Sequence, residues 1–269
     1  MRLTFSKYSG SGNDFILVDN RQKFFPFHKK ELIAHLCRRR TGIGADGIIL
    51  LENSQKADFK MRIFNADGSE AEMCGNGIRC LMKFIRELGN TEEAYEIETM
   101  ESKVRLSFKN DLVNVSMPKP YDLRWDLKID IQNTCLRLHH INTGVPHVVL
   151  FVENLKSDKW MSLAPAIRHH AIFAPHGANV NFTCIASDGQ VAVRTYERGV
   201  EGETLACGTG ATAAALMAAK LLDLSSPVKV QPLSNEPIEI SFKFECGQPA
   251  DVFMAGPAVF IFHGKIDIE

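Results

Sequence analysis

The sequence predicts an α/β chain of the α+β kind, built as two pseudo-symmetric halves, each a mostly antiparallel sheet wrapped around a central helix. Three observations predict this. First, Cys74-Gly75-Asn76-Gly77 and Cys207-Gly208-Thr209-Gly210 repeat one Cys-Gly-x-Gly motif 133 positions apart, each ahead of a helical pattern. Second, other matches keep nearly the same offset: Gly44-Ala45-Asp46 with Gly177-Ala178-Asn179, and Arg62-Ile63-Phe64-Asn65 with Arg194-Thr195-Tyr196-Glu197. Self-similarity at one period is the mark of a duplicated unit. Third, the strand patterns are short and joined by turns, which does not suit a doubly wound parallel sheet.

In chain order, residues 2–9 and 15–19 read as strands around the turn Gly10-Ser11-Gly12-Asn13-Asp14. Residues 28–39 carry Leu32, Ile33 and Leu36 at helical spacing. The apolar run 48–51 and the alternating stretch 59–64 are strands, and Asn65-Ala66-Asp67-Gly68-Ser69 is a polar loop before the Cys74 helix. Residues 95–100, 103–109 and 112–117 read as three further strands. Pro118-Lys119-Pro120 resists both helix and ladder pairing and serves as the linker. Beyond it, strands are expected over 136–142 and 147–153, a helix over 162–170, and strands over 179–186 and 190–197 around the hairpin signal Ser187-Asp188-Gly189. The Cys207 helix follows, then strands over 228–231, 238–244, 252–255 and 259–268. The expected domains are 1–118, with the terminal strand 258–269 returning to it, and 119–257.

Composition bounds the function. The chain has 269 residues and a formal net charge of -1, so electrostatics make no case for nucleic acid or an anionic membrane. Residues 1–8 lack the apolar core of a signal peptide, no apolar run is long enough to span a bilayer, and the expected location is the cytoplasm. Seven cysteines without a secretory signal argue against a disulfide framework. Zinc is not expected either, because no Cys-x-x-Cys occurs. Cys37, Cys80, Cys135, Cys184 and Cys246 read as small buried hydrophobes.

Cys74 and Cys207 read differently. Glycine lets backbone approach a ligand, and a helix start leaves N–H groups unpaired. A thiol there feels the positive end of the helix dipole, which lowers its pKa. Two such thiols facing one ligand could remove an α-proton from one face of an amino acid and return one to the other. The two turns would hold the carboxylate and the developing charge.

These residues resemble the diaminopimelate epimerase family of PLP-independent amino-acid racemases. The resemblance rests on Gly10-Ser11-Gly12-Asn13-Asp14-Phe15, Asn65-Ala66-Asp67-Gly68-Ser69-Glu70, the Cys74 to Cys80 block, Tyr196-Glu197-Arg198-Gly199 and the Gly202 to Gly210 block. They span nearly the whole chain in the family's order. The resemblance implies two halves closing over substrate, with the active site in the cleft between them and no cofactor or metal. Cys207 would accept the proton from the L,L substrate and Cys74 would donate one to the other face. His147 and Glu197 would tune the thiols. Gly75, Asn76, Gly208 and Thr209 would hold the reacting carboxylate. Asn13, Asn65, Asn179, Glu197 and Arg198 would bind the rest, Arg198 pairing with the distal carboxylate.

Gly47 and Val145 depart from the family pattern. Gly47 is expected to leave space and Val145 to remove a hydrogen bond, loosening distal specificity toward glutamate. Rival readings are a proline or hydroxyproline racemase, and a catalytically inactive amino-acid-binding protein of the same fold. The expected partner is a small-molecule amino acid, with no nucleic acid and no membrane, and a homodimer is compatible with the sequence.

Overall fold

A two-residue turn, Ser11-Gly12, with φ of 50° and 93°, folds β1 (Arg2–Gly10) back onto β2 (Asn13–Asp19). Positive φ at both turn residues matches the right-handed twist of the strands, and glycine takes the second at no steric cost. The turn sets Asn13 at the mouth of β2. This computed structural model describes residues 1–100, 102–132, 134–186 and 189–268.

The chain divides into two compact units, one of residues 1–115 with the terminal segment from Gly256, the other of Ser116–Ala255. In the first unit the strand order is β18 (Val259–Asp267), β1, β2, β3 (Gly47–Glu52), β4 (Phe59–Asn65), β6 (Ala94–Glu98), β7 (Lys103–Lys109) and β8 (Leu112–Ser116), with short β5 (Glu70–Ala71) also beside β4. Only β2–β3 and β4–β6 are parallel. In the second unit the order is β9 (Tyr121–Ile131), β10 (Thr134–Asn142), β11 (Pro146–Phe151), β12 (Asn179–Ile185), β13 (Val191–Glu197), β15 (Val228–Gln231), β16 (Ile238–Glu245) and β17 (Gln248–Gly256), with β14 (Gly202–Thr204) beside β13. Again two pairings are parallel, β11–β12 and β13–β15. The pairing scheme is the same in both units, as the mostly antiparallel, duplicated reading requires.

Each sheet is covered on two faces. All six residues of β3 are buried. Ile48 and Leu50 join the cluster of Ile33 and Leu36 from α1 (Lys30–Cys37), while Ile49 turns toward α2 (Gly75–Glu87). This is the period-two alternation of a strand packed on both sides. The second unit repeats it. Val180 and Phe182 pack with Ala164 and Ile167 of α3 (Lys159–Arg168), and Asn181 turns toward α4 (Gly208–Leu222). Ten consecutive residues of α4, Gly210 to Ala219, are buried, so small alanines let the sheet wrap closely round it.

The structure differs from expectation in places. The eleven-residue β9 replaces what reads as loop after the linker. Its three Asp residues and its bulges opposite His140, with Asp122 and Asp126 at positive φ, hide its alternation. Cys135 and Cys246 are exposed and Cys184 is half-buried, against the expectation that all three are buried. Cys246 sits with Gly247 in the β16–β17 turn, both at positive φ, and Cys135 pairs with Asp130 at the start of β10. Ser187 and Asp188 of the hairpin signal lie outside the described residues. Among the described residues, no helix is long and apolar enough to cross a membrane.

Candidate active site

Cys74 is the N-cap of α2, in extended conformation, and its Sγ accepts the Gly77 N–H at 3.4 Å. At Gly77 a Cβ would lie 2.9 Å from Ile49 Cδ1 and 3.3 Å from Ile63 Cδ1, the movable ends of two isoleucines. Behind the helix start lies Arg79, fully buried on the face of α2 that otherwise carries Ile78, Leu81, Met82 and Ile85. Its Nη1 donates to Gly75 O at 3.2 Å, and its Nη2 to Asn76 Oδ1 at 2.9 Å and Ser11 Oγ at 2.7 Å. Asn76 Nδ2 donates to Asn13 Oδ1 at 2.8 Å, and Asn13 Nδ2 to Asp46 Oδ2 at 3.0 Å. Asp46 also takes Arg39 at 2.9 Å. Beside it, burial raises Asp14, but hydrogen bonds from Arg39 and Lys7 outweigh that and hold its carboxyl below the usual range. Asn65 stands apart at the end of β4, exposed, with its amide on Ser69 Oγ at 3.0 Å.

Cys207 is the N-cap of α4. No helix N–H bonds its side chain as a cap, and its Sγ lies 3.4 Å from Thr209 Oγ1. The Thr209 carbonyl is held by Thr143 Oγ1 at 2.9 Å. A Cβ at Gly208 would meet Met254 Sδ at 2.7 Å, and one at Gly210 would meet Asn181 Oδ1 at 2.4 Å, so both glycines of this motif are closely packed.

Asn181 is the hub of this unit. Its Oδ1 accepts Thr195 Oγ1 at 2.9 Å, and its Nδ2 donates to Val148 O at 2.9 Å and contacts His147 Nδ1 at 3.1 Å. An amide nitrogen only donates, so His147 Nδ1 accepts and the ring proton sits on Nε2. That Nε2 is buried with no hydrogen-bond partner. Burial, with smaller contributions from His140 and Arg198, pushes the His147 pKa down to about 3, so the ring is a neutral N–H donor. Burial pushes the Glu197 carboxyl up. Asn179 grips backbone with both ends: its Oδ1 accepts the Arg198 N–H at 2.8 Å and its Nδ2 donates to Pro146 O at 3.1 Å, which leaves one amide hydrogen over. This fixes the stretch carrying Glu197 and Arg198.

Several of these residues were not singled out from the sequence. Arg79 and Asn181 each break an apolar pattern, a charge on the buried face of a helix and an amide inside a buried strand, and that break was the available signal. Asp46 and Thr195 carried none beyond the repeat. The expectation that Gly47 leaves space is corrected by the structure. A Cβ there would lie 2.4 Å from Phe64 O, so glycine is required by the close β3–β4 pairing and no open slot exists. Among the described residues, no three His, Cys, Asp or Glu side chains converge to hold a metal ion.

The family model described as "Diaminopimelate epimerase" matches residues 5–121 and 139–261. A diaminopimelate epimerase of Methanothrix thermoacetophila is 43% identical over 281 aligned positions, covering 100% of this chain and 97% of that protein. One of Flavobacterium psychrophilum is 39% identical, covering 97% and 98%. Among solved structures, a Bacillus anthracis phenazine biosynthesis protein of the PhzF family matches with a TM-score of 0.75 at 16% identity, covering 100% of both chains. A hydroxyproline epimerase of Agrobacterium vitis matches at 0.68 and 15%, covering 98% and 92%. These structures share the fold.

Proposed function

The chain belongs to the diaminopimelate epimerase family, and we propose that it converts L,L-diaminopimelate to meso-diaminopimelate with two thiols and no cofactor. The observation that carries this reading is the duplicated Cys-capped helix start, at matching places in two units with one pairing scheme. Cys207, as thiolate, takes the α-proton of the L,L substrate, so the Cα–H bond breaks and an S–H bond forms. Cys74, as thiol, gives its proton to the opposite face of the same carbon. The reverse reaction exchanges the roles. Charge developing on the reacting carboxylate is met by N–H groups at the starts of α2 and α4, from Gly75, Asn76, Gly208 and Thr209. Arg198 pairs with the distal carboxylate, and Asn13, Asn65, Asn179 and Glu197 bind the remainder. His147 and Glu197 act on the thiols from outside the reacting atoms, His147 as a neutral donor. The reaction's setting is lysine and peptidoglycan precursor synthesis in the cytoplasm.

The test is deuterium incorporation at Cα in D2O, without added cofactor and under reductant, for L,L-diaminopimelate, L-glutamate and L-proline. Wild type is compared with Cys74→Ala and Cys207→Ala. Exchange with diaminopimelate that either variant abolishes or makes one-sided is the expected result. No exchange with any of the three would overturn the reading and favour an inactive binding protein. Exchange with glutamate would extend the specificity, by a route other than an open slot at Gly47.

A further inference from the structure

Resting on the substrate reading above, we propose that Arg79 and Asp46 are positioning residues that lock the Asn76 and Asn13 amides with their donors outward, so that the first unit reads a carboxylate and not an ammonium. The argument is one of hydrogen-bond direction. Asn amides are ambiguous in isolation, because oxygen and NH2 are nearly isosteric. Here both ends of the chain of bonds are fixed. A guanidinium can only donate, so Asn76 must turn its Oδ1 to Arg79 at 2.9 Å. Its NH2 then faces Asn13 Oδ1 at 2.8 Å. That commits the Asn13 NH2 to the other end, where a carboxylate oxygen of Asp46 accepts it at 3.0 Å. The two charged ends agree, so reversing either amide breaks two bonds at once. Arg79 is fully buried and Asn76 nearly so, which makes an unmade bond there expensive.

The consequence is chemical. Each amide oxygen is engaged inside the relay, and each NH2 keeps one hydrogen outside it. Those hydrogens are donors, which suit an anion as the N–H groups at the start of α2 do. Asn13 and Asn76 are thereby specificity elements whose sign is written by residues behind them. Arg79 adds a second constraint, because the same guanidinium grips Gly75 O at 3.2 Å and Ser11 Oγ at 2.7 Å. It therefore ties the Cys74 turn to the β1–β2 turn that presents Asn13.

Among the described residues, the second unit shows no such relay at the matching place. Thr212 stands where Arg79 does, its hydroxyl on Gly208 O at 2.9 Å, and by the strand register Ala178 stands where Asp46 does. The directional device belongs to one copy of the repeat.

Asp46→Asn tests this, because it is isosteric and turns a fixed acceptor into a group that can donate or accept. Binding is measured by calorimetry in a Cys207→Ala background, so that turnover does not intrude. The ligands are L,L-diaminopimelate and its diamide, in which both carboxylates are carboxamides. We expect Asp46→Asn to raise the Kd for diaminopimelate about tenfold and leave that for the diamide within about twofold, so that discrimination falls about tenfold. Arg79→Lys, which keeps the charge but loses the fork, should lower the same ratio from the other end of the relay. A merely structural role would weaken both ligands together, and that result would overturn the proposal, as would an unchanged ratio in a folded Asp46→Asn. Absence of Cα–H exchange in wild type would sink the two-thiol reading instead, and the binding ratio would still judge the relay.

Discussion

Cys74 and Cys207 cap two copies of one helix, yet the ground beneath them is made of different matter. Under the Cys74 helix the sheet offers Ile49 and Ile63, and under the Cys207 helix, 132 positions on, it offers Asn181 and Thr195. His147 stands where the first unit has Phe15. Conversely, the first unit places its polar groups around the helix start, from Arg79 to Asp46, where the second has Thr212 and Ala178. The lesson is about what duplication conserves. The backbone device, a cysteine at a glycine-rich N-cap over the sheet, recurs in both. The polar network that supports it has moved from one side of the helix to the other. An apolar floor fixes the first helix by packing. The second floor is polar and bonded within itself across β11, β12 and β13, and α4 comes close to it at Gly210.

The strongest way to break this comparison is to remove the shared device. Cys74→Ser and Cys207→Ser keep shape and lose acidity, because an alcohol cannot supply a thiolate near neutral pH. Each should lower epimerisation about 10³-fold, within the range of general acid–base effects. Rates from the L,L and meso sides are the measurement. A serine variant within threefold of wild type on both sides would mean that one copy of the motif is only architectural.

Next in size is the glycine one turn in. Gly210→Ala drives a methyl into Asn181 Oδ1, 2.4 Å from the ideal Cβ, and Thr195 Oγ1 at 3.2 Å. It must break the network that holds His147, and about 3 kcal/mol of stability should be lost. Gly77→Ala meets only the Cδ1 ends of Ile49 and Ile63, at 2.9 and 3.3 Å, which can rotate away. About 1 kcal/mol is expected there. Urea midpoints decide. Equal losses would show that floor chemistry does not matter.

That contrast also marks what the sequence could say. The fold class was legible because the motif, the Gly-Ala-Asx turn and the Arg-led strand recur at nearly one offset, and because Gly-x-Gly after a Cys leaves little choice but a helix start. β9 was not legible, since three Asp residues and two bulges disguise a strand whose outer face is wet. The candidate site was legible only where chemistry is carried by a motif. Gly47 shows the limit. Its meaning depends on a carbonyl of β4, which no reading of β3 alone can supply. Arg79 and Asn181 were visible as anomalies, but their partners Asp46, Asn13 and Thr195 arrive from other strands. Direction in a hydrogen-bond relay is a property of the assembled unit.

The polar floor should also show in the pH dependence of stability. Folding holds His147 at a pKa of about 3 against 6.5 for the ordinary side chain. A base whose pKa falls on folding binds its proton more tightly when unfolded. Its contribution is therefore present above pH 6.5 and lost as pH drops toward 3, at up to about 1.4 kcal/mol per pH unit. Glu197 runs the other way, since burial raises it and its cost grows as pH climbs above 4.5. His147→Gln should thus flatten the fall of Tm between pH 6.5 and 4. An unchanged slope would mean that the ring charges without disturbing Asn181.

The smallest effect expected separates the two thiols themselves. Cys74 Sγ accepts the Gly77 N–H, a bond that strengthens with negative charge on sulfur, and the residue is half-buried. Cys207 Sγ has a hydroxyl at hand and no capping N–H, and the residue is 9% exposed. Iodoacetamide should therefore label Cys74 severalfold faster than Cys207, read by mass spectrometry of the peptides under reductant removed just before use. Exposure and charge can be told apart within the same experiment. If exposure alone rules, a smaller alkylating agent closes the gap, whereas a gap that persists with methyl iodide belongs to the sulfur's environment. Faster labelling of Cys207 would invert the comparison and assign the more reactive thiol to the copy with the polar floor.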